Sequence, residues 1–189
     1  MLSHKGTQTL HTARLTLRRF VPADAEPMFR NWANDPEVTR FLTWAPHGTV
    51  DVSNSVIAQW VAEYAHSNIY NWAIVPDEPG EAIGGISVVS LDDANACCEI
   101  GYCIAKAYWS KGITAEALRC VIDFLFSQVG MNRIVARHDP NNPASGRVMQ
   151  KSGMLYEGTQ RQVKFRQNAG YYDLAVYAIL KSDWHARLS

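Results

Sequence analysis

The chain has no charge imbalance. Its 189 residues carry 18 lysines and arginines against 18 aspartates and glutamates. No bulk field therefore draws it to nucleic acid or to an anionic membrane, and neither is expected as a partner. No apolar run approaches the ~20 residues that a spanning helix needs. Residues 1–12 are polar and lack the apolar stretch of a secretory signal. The four cysteines, Cys97, Cys98, Cys103 and Cys120, make no Cys-x-x-Cys pair and no zinc spacing with histidine, so no metal site is expected. There is no repeat, linker or low-complexity block. These absences leave a soluble domain with reduced thiols, expected in the cytoplasm.

What is present is a globular composition, 47% hydrophobic and 19% charged, in a chain long enough for one ordinary domain. Residues 1–12 read as a flexible tail and 13–189 as the domain. Arg14–Phe20 alternates as a strand does. Pro22 opens a helical segment to about Asn34, with proline in its favoured first turn. Val52, Val56, Trp60 and Tyr64 mark one face of a helix over Val50–His66. Strands are expected at Tyr70–Val75, Ala82–Leu91 and Glu99–Ile104, with Gly84-Gly85 signalling a bulge or a close backbone approach. A long helix, Lys111–Val129, ends at Gly130. Then come a strand at Arg133–Arg137, a short helix at Ala144–Ser152, and a hairpin of Met154–Phe165 and Tyr171–Leu180 around Arg166–Gly170. A crossover helix set among antiparallel strands implies a mixed α/β sheet.

One stretch stands out: Tyr108-Trp109-Ser110-Lys111-Gly112-Ile113-Thr114, between the Glu99 strand and the long helix. A strand, a glycine-bearing loop and a helix start together make an anion site, because the first-turn N–H groups are free and the helix dipole favours negative charge. The expected ligand is a phosphate group.

Further motifs give that loop a context. Trp109–Thr114 falls on the Gln/Arg-x-x-Gly-x-Gly/Ala phosphate loop of the GNAT acetyltransferases. Asn142-Pro143-Ala144-Ser145-Gly146-Arg147-Val148 and Lys151-Ser152-Gly153-Met154 resemble signatures of the subfamily that acetylates the N-termini of ribosomal proteins. Tyr172-Asp173, Tyr177–Leu180 and Asp183-Trp184 resemble its closing strand, and Leu15–Arg18 its start. The likeness spans about residues 13–184. It implies a GNAT fold: a mostly antiparallel twisted sheet of about seven strands, splayed in the middle and flanked by about four helices. It also implies acetyl-CoA as cosubstrate and a primary amine as acceptor, in a monomer or homodimer. Trp109 and Thr114 depart from the family's loop, so the backbone around Gly112 must carry most of the binding.

The resemblance also assigns roles. Trp109, Ser110, Lys111, Gly112, Ile113 and Thr114 would hold the pyrophosphate. The backbone of Tyr102, Cys103 and Ile104 would pair with the pantetheine arm like an added strand, and the Asn142 amide would bond it too. Cys103 is expected to be no nucleophile, since the amine attacks directly. Ser145 matches the subfamily's proton donor to the leaving thiolate; its plainer reading is a first-turn helix serine. The tyrosine that many relatives carry four residues later is here Met149. The amine must lose a proton, and Glu99 is the expected base, against the plainer reading of a strand glutamate paired with an arginine or lysine. His138 is the second candidate, with packing as its default. Phe41, Trp44 and Tyr64 are candidates for the acceptor groove, and Arg161, Lys164 and Arg166 form a basic cluster. Three readings stay open: acetylation of a protein N-terminus, acetylation of a small amine, and a CoA-binding regulator without catalysis.

Overall fold

The computed structural model describes residues 2–166 and 170–186. Its spine is a single sheet of eight strands. They are β1 (Leu10–His11), β2 (Leu15–Arg18), β3 (Asn71–Pro76), β4 (Gly84–Asp92), β5 (Cys97–Ile104), β6 (Arg133–His138), β7 (Leu155–Arg166) and β8 (Gly170–Leu180). The order across the sheet is β1-β2-β3-β4-β5-β6-β8-β7. Every pairing is antiparallel except β5 with β6. That one parallel contact follows from the crossover helix α4 (Ile113–Phe124), because two parallel neighbours cannot be joined by a tight turn.

The other helices are α1 (Ala25–Met28), α2 (Pro36–Thr39), α3 (Val50–Glu63), α5 (Pro143–Lys151) and α6 (Lys181–His185). A 3-10 turn, Pro22–Asp24, and a π-helical turn, Phe29–Ala33, flank α1 and extend it to the expected length. The long helix begins at Ile113 rather than Lys111, because Gly112 has φ 77° and cannot be helical; a π-helical turn, Leu125–Val129, prolongs it to Gly130 at φ 90°. The turn expected between Arg166 and Gly170 lies outside the described residues.

Residues 2–12 do not hang loose as expected. Ser3 N–H donates to the Val129 carbonyl at 2.9 Å and Thr7 Oγ1 to that of Ile69 at 2.9 Å, while β1 adds an eighth strand beside β2. A polar segment is held here by hydrogen bonds, which hydrophobic periodicity does not register.

Side chains on the two sheet faces have different neighbours. Trp72, Ile86 and Tyr102 lie in register across β3, β4 and β5, and Trp72 meets α4 edge-on through Phe124 at 5.8 Å. On the other face Gly85 lies against Phe20, whose ring packs 4.9 Å from that of Trp60 in α3. Trp32, Tyr70 and Trp72 are fully buried, as expected of core aromatics. Tyr64 is core as well and not part of a groove: its hydroxyl accepts from the Phe20 N–H at 2.9 Å and donates to the Asn71 carbonyl at 2.7 Å.

The Gly84-Gly85 signal proves to be a close approach. A Cβ on Gly84 would stand 2.4 Å from the Cys103 carbonyl oxygen, and the bulge in β4 falls later, between Val88 and Ser90. The outer strand β7 is interrupted twice, between Tyr156 and Gly158 and between Gln160 and Lys164. Gly84→Ala should therefore force backbone apart in mid-sheet, costing about 2–3 kcal/mol and lowering the thermal unfolding midpoint by ~5–10 °C. Calorimetry of Gly84→Ala beside Gly101→Ala, whose nearest neighbour is the Val89 side chain at 3.0 Å, measures it. Equal midpoints in the two variants would reject the backbone clash.

Candidate active site

The site is made by strands that separate. β5 and β6 pair at Cys97–Arg133, Cys98–Ile134 and Glu99–Val135 and no further. Past that point β5 stays bonded to β4 as far as Ile104, and β6 to β8 as far as His138. The β5 edge from Ile100 to Ile104 thus faces an opening. α4 starts at one end of this opening and α5 borders it.

At the α4 end, Gly112 is the helix N-cap, left-handed at φ 77°, with Ser110 before it at φ 61°. These two left-handed residues turn the chain from β5 into α4, whose first helical bond runs from the Glu116 N–H to the Gly112 carbonyl. A Cβ on Gly112 would meet only Arg14 Nη2, at 3.9 Å, so the space above the loop is open. Trp109 fixes the loop from below, its Nε1–H donating to the Ile104 carbonyl at 3.0 Å. Lys111 holds its ammonium 5.2 Å above the Tyr108 ring. Thr114, in the first turn of α4, is buried.

A clasp that sequence reasoning missed crosses the same loop. Arg14 Nε–H donates to Glu116 at 2.8 Å and Nη1–H to the Lys111 carbonyl at 3.4 Å, while the Thr12 hydroxyl donates to the other Glu116 oxygen at 2.6 Å. It ties the start of β2 to the first turn of α4. Only the opposite charges of Arg14 and Glu116, 102 residues apart, hinted at it.

At the α5 border, Asn142 is the N-cap, and its side-chain oxygen accepts from the Ser145 N–H at 3.4 Å. The Asn142 side-chain oxygen is thus engaged as a helix cap. Ser145 lies in the first turn, 3.0 Å from the Tyr102 hydroxyl. Met149 is buried in the core. His138 is a packing residue. Its Nδ1 sits 2.8 Å from the Asp139 carbonyl, its ring lies 5.6 Å from that of Tyr177, and a Cβ on Gly146 would collide with Nε2 at 2.7 Å.

Glu99, Gly101 and Cys103 point to the opposite face of β5 from Tyr102. There Glu99 is not free: both carboxylate oxygens accept from Arg137 of β6, one at 2.9 Å. The ion-paired reading thus prevails locally, and service as a base requires the pair to open. Alternation gave only the face; the parallel register, with Val135 beside Glu99, places Arg137 two residues on within reach. Arg166 also belongs to a pair, with buried Asp139 at 3.4 Å, and its guanidinium covers the Tyr172 ring at 4.4 Å. It is not part of a solvated cluster.

All four cysteines are free thiols. Burial pushes the Cys103 thiol up to about 11 and that of Cys98 up to about 12. Both stay protonated near neutrality, which is the wrong state for a nucleophile.

An open strand edge between two helix starts, one of them capped by a left-handed glycine, has the form of a cleft for an extended, anion-bearing ligand. The chain belongs to the GNAT acetyltransferase family: the acetyltransferase (GNAT) domain matches residues 14–155. It is an N-acetyltransferase, and the family uses acetyl-CoA. It is 35% identical over 172 residues to the uncharacterized N-acetyltransferase YoaA of Bacillus subtilis, covering 91% of this chain and 96% of that one. It is 32% identical over 98 residues to the ribosomal-protein-serine acetyltransferase of Escherichia coli, covering 52% and 54%. Among solved structures, a GNAT-family acetyltransferase from Bacillus anthracis superposes with a TM-score of 0.82 at 23% identity, covering 93% of this chain and 99% of that one. Among the described residues no helix is long and apolar enough to cross a membrane.

Two expectations can be measured here. Burial pushes the Glu116 carboxyl up, but the bonds from Thr12 and Arg14 outweigh it and hold the group below its ordinary value. A depressed carboxyl adds stability above the unfolded-state pKa and loses it as pH falls through the folded one. Urea titrations should show wild type losing its margin over Glu116→Gln as pH drops below ~4.5; a margin independent of pH would refute the clasp. Cys103→Ser should keep turnover within about threefold, since a protonated thiol does not attack; a hundredfold loss would mark it as the nucleophile.

Proposed function

We propose that this enzyme acetylates the α-amine at the N-terminus of a protein, a ribosomal protein being the first candidate, by direct attack on acetyl-CoA in a ternary complex. The observation that carries the reading is the opening between β5 and β6, furnished differently on its two faces. The phosphate loop at Gly112, Asn142 and Ser145 border the side of α4 and α5. Glu99 and Arg137 lie on the side of α3. Cosubstrate and acceptor then approach from opposite faces and meet where the strands part.

In this reading the N–H groups of Gly112, Ile113 and Thr114 hold the pyrophosphate, with Lys111 and Ser110 beside them and Trp109 fixing the loop. The β5 edge of Tyr102, Cys103 and Ile104 pairs with the pantetheine arm, and the Asn142 amide donates to it. The amine lone pair forms the C–N bond at the thioester carbon. Strand N–H groups polarise the carbonyl oxygen. The C–S bond breaks with its electron pair on sulfur, and the proton shed by nitrogen passes to water on the Glu99 face. Glu99 takes that proton only once Arg137 has released it. An extended gap between parted strands suits a peptide end better than a small amine. The E. coli ribosomal-protein-serine acetyltransferase in its own name supports the acceptor class.

The test is thiol release from acetyl-CoA across peptides with free serine or alanine N-termini, the same peptides N-blocked, polyamines, free amino acids and aminoglycosides. Free peptides should turn over and blocked ones should not. Preference for a small amine by ten-fold or more would replace the acceptor, and CoA binding without turnover on any amine would leave a regulator. In the same assay Gly112→Ala should raise KM for acetyl-CoA by about tenfold with little change in kcat, because a methyl group and a left-handed alanine both oppose the loop's approach to phosphate. An unchanged KM would detach the loop from the cosubstrate.

A further inference from the structure

Tyr102 was expected to contribute only backbone. Its side chain does more. From β5, on the α4 face, the ring spans the opening between the parted strands, and its hydroxyl lies 3.0 Å from Ser145 Oγ and 3.0 Å from the Ser145 carbonyl oxygen. Ser145 is the polar side chain in the first turn of α5, and it is set there by Asn142 capping its N–H. The donor that relatives place four residues later is missing, because Met149 is apolar and 1% exposed.

Counting protons defines two states. A phenol has one O–H. If it donates to the Ser145 carbonyl, the contact with Oγ is bonded only when serine donates back, and the serine proton is then spent. If the phenol donates to Oγ, the serine O–H is released to point at a new acceptor in the cleft.

We propose that Tyr102 is the positioning residue that turns the Ser145 hydroxyl toward the departing sulfur: the phenol donates to Ser145 Oγ, and Ser145 donates to the thiolate as the C–S bond breaks. This deepens the acetyltransferase reading above and rests on it. The electron pair of the broken bond stays on sulfur, and no proton leaves serine or tyrosine, since a thiolate is a far weaker base than either conjugate anion. Burial raises the Tyr102 phenol well above its ordinary value, against the opposing pull of its bond to Ser145, so it remains a neutral donor across the working pH range. The pair therefore stabilises developing charge without titrating, and the strand that seats the pantetheine arm also orders the donor at its end.

The experiment is a double-mutant cycle of Tyr102→Phe and Ser145→Ala on the full chain, with acetyl-CoA and the best acceptor from the amine panel, thermal unfolding being measured in parallel. Tyr102→Phe should lower kcat by about tenfold with KM for acetyl-CoA within about twofold, and the double variant should be no slower than Ser145→Ala alone. The loss in Tyr102→Phe should be one constant factor from pH 6 to 10. Wild-type turnover with an unchanged Tyr102→Phe, or losses that multiply in the double variant, would overturn this inference and leave the acetyltransferase reading standing. A fall in wild-type kcat between pH 8 and 10 that Tyr102→Phe abolishes would mean that the phenol gives up its proton, and would also overturn it; the wild-type half of this measurement needs no variant to fold. Absence of wild-type turnover on every amine would remove both readings together.

Discussion

The parting of β5 and β6 is the constraint on which the rest depends. Two parallel strands share three residue pairs and then diverge, each kept straight by its other neighbour. Beyond Glu99 the β5 edge has no strand partner on the β6 side, and a buried edge without partners would be costly. α4 connects the two strands, so its N-terminus necessarily begins where β5 ends. α5 follows β6 directly, so its first turn borders the same gap. Loop, strand edge and serine converge because one crossover and one divergence share a location.

Charge around the gap is arranged in closed pairs. Arg14 with Glu116 crosses the Gly112 loop, Arg137 with Glu99 lines the far face, and Arg166 with Asp139 abuts the end of β6. Burial disfavours an unpaired ion, and each arginine spans two elements distant in sequence. The pairs hold the rim of the cleft in place, which a chain with no net charge does without a large local field. They also explain why the one strand carboxylate at the site is engaged.

Much of this was legible in the sequence, and what was not has a physical reason. Periodicity located β2 to β8 and the helices α1, α3, α4 and α5, since alternation and the 3.6-residue repeat report burial directly, but not the short β1, α2 and α6. The glycine loop was recognisable because a left-handed turn at Gly112 tolerates few other residues. Glycine pairs were ambiguous: Gly84 signals backbone contact, which only the register with Cys103 reveals. The N-terminal segment was misjudged because its polar residues are fixed by partners sixty or more positions away. Tyr102 illustrates the same limit at the site. Local pattern gives its face of the strand, but the residue it touches, Ser145, lies 43 positions along and across an opening that no spacing rule describes. The pairing of Glu99 needed the parallel register as well as the alternation.

The two interruptions in β7 have a consequence for how anything reaches this protein. The outer strand is twelve residues long and largely exposed, and carries Leu155, Tyr156, Val163 and Phe165 on its surface. A flat margin of that kind would recruit any extended segment through its free main-chain groups. Here the ladder is broken at Gly158 and again between Gln160 and Lys164, with Arg161 and Lys164 set among the apolar residues. Such kinks and charges spoil the repeat that a guest strand must match. The β7 rim therefore turns strand-like company away, whereas β5 has an interior edge that no described strand covers beyond Glu99.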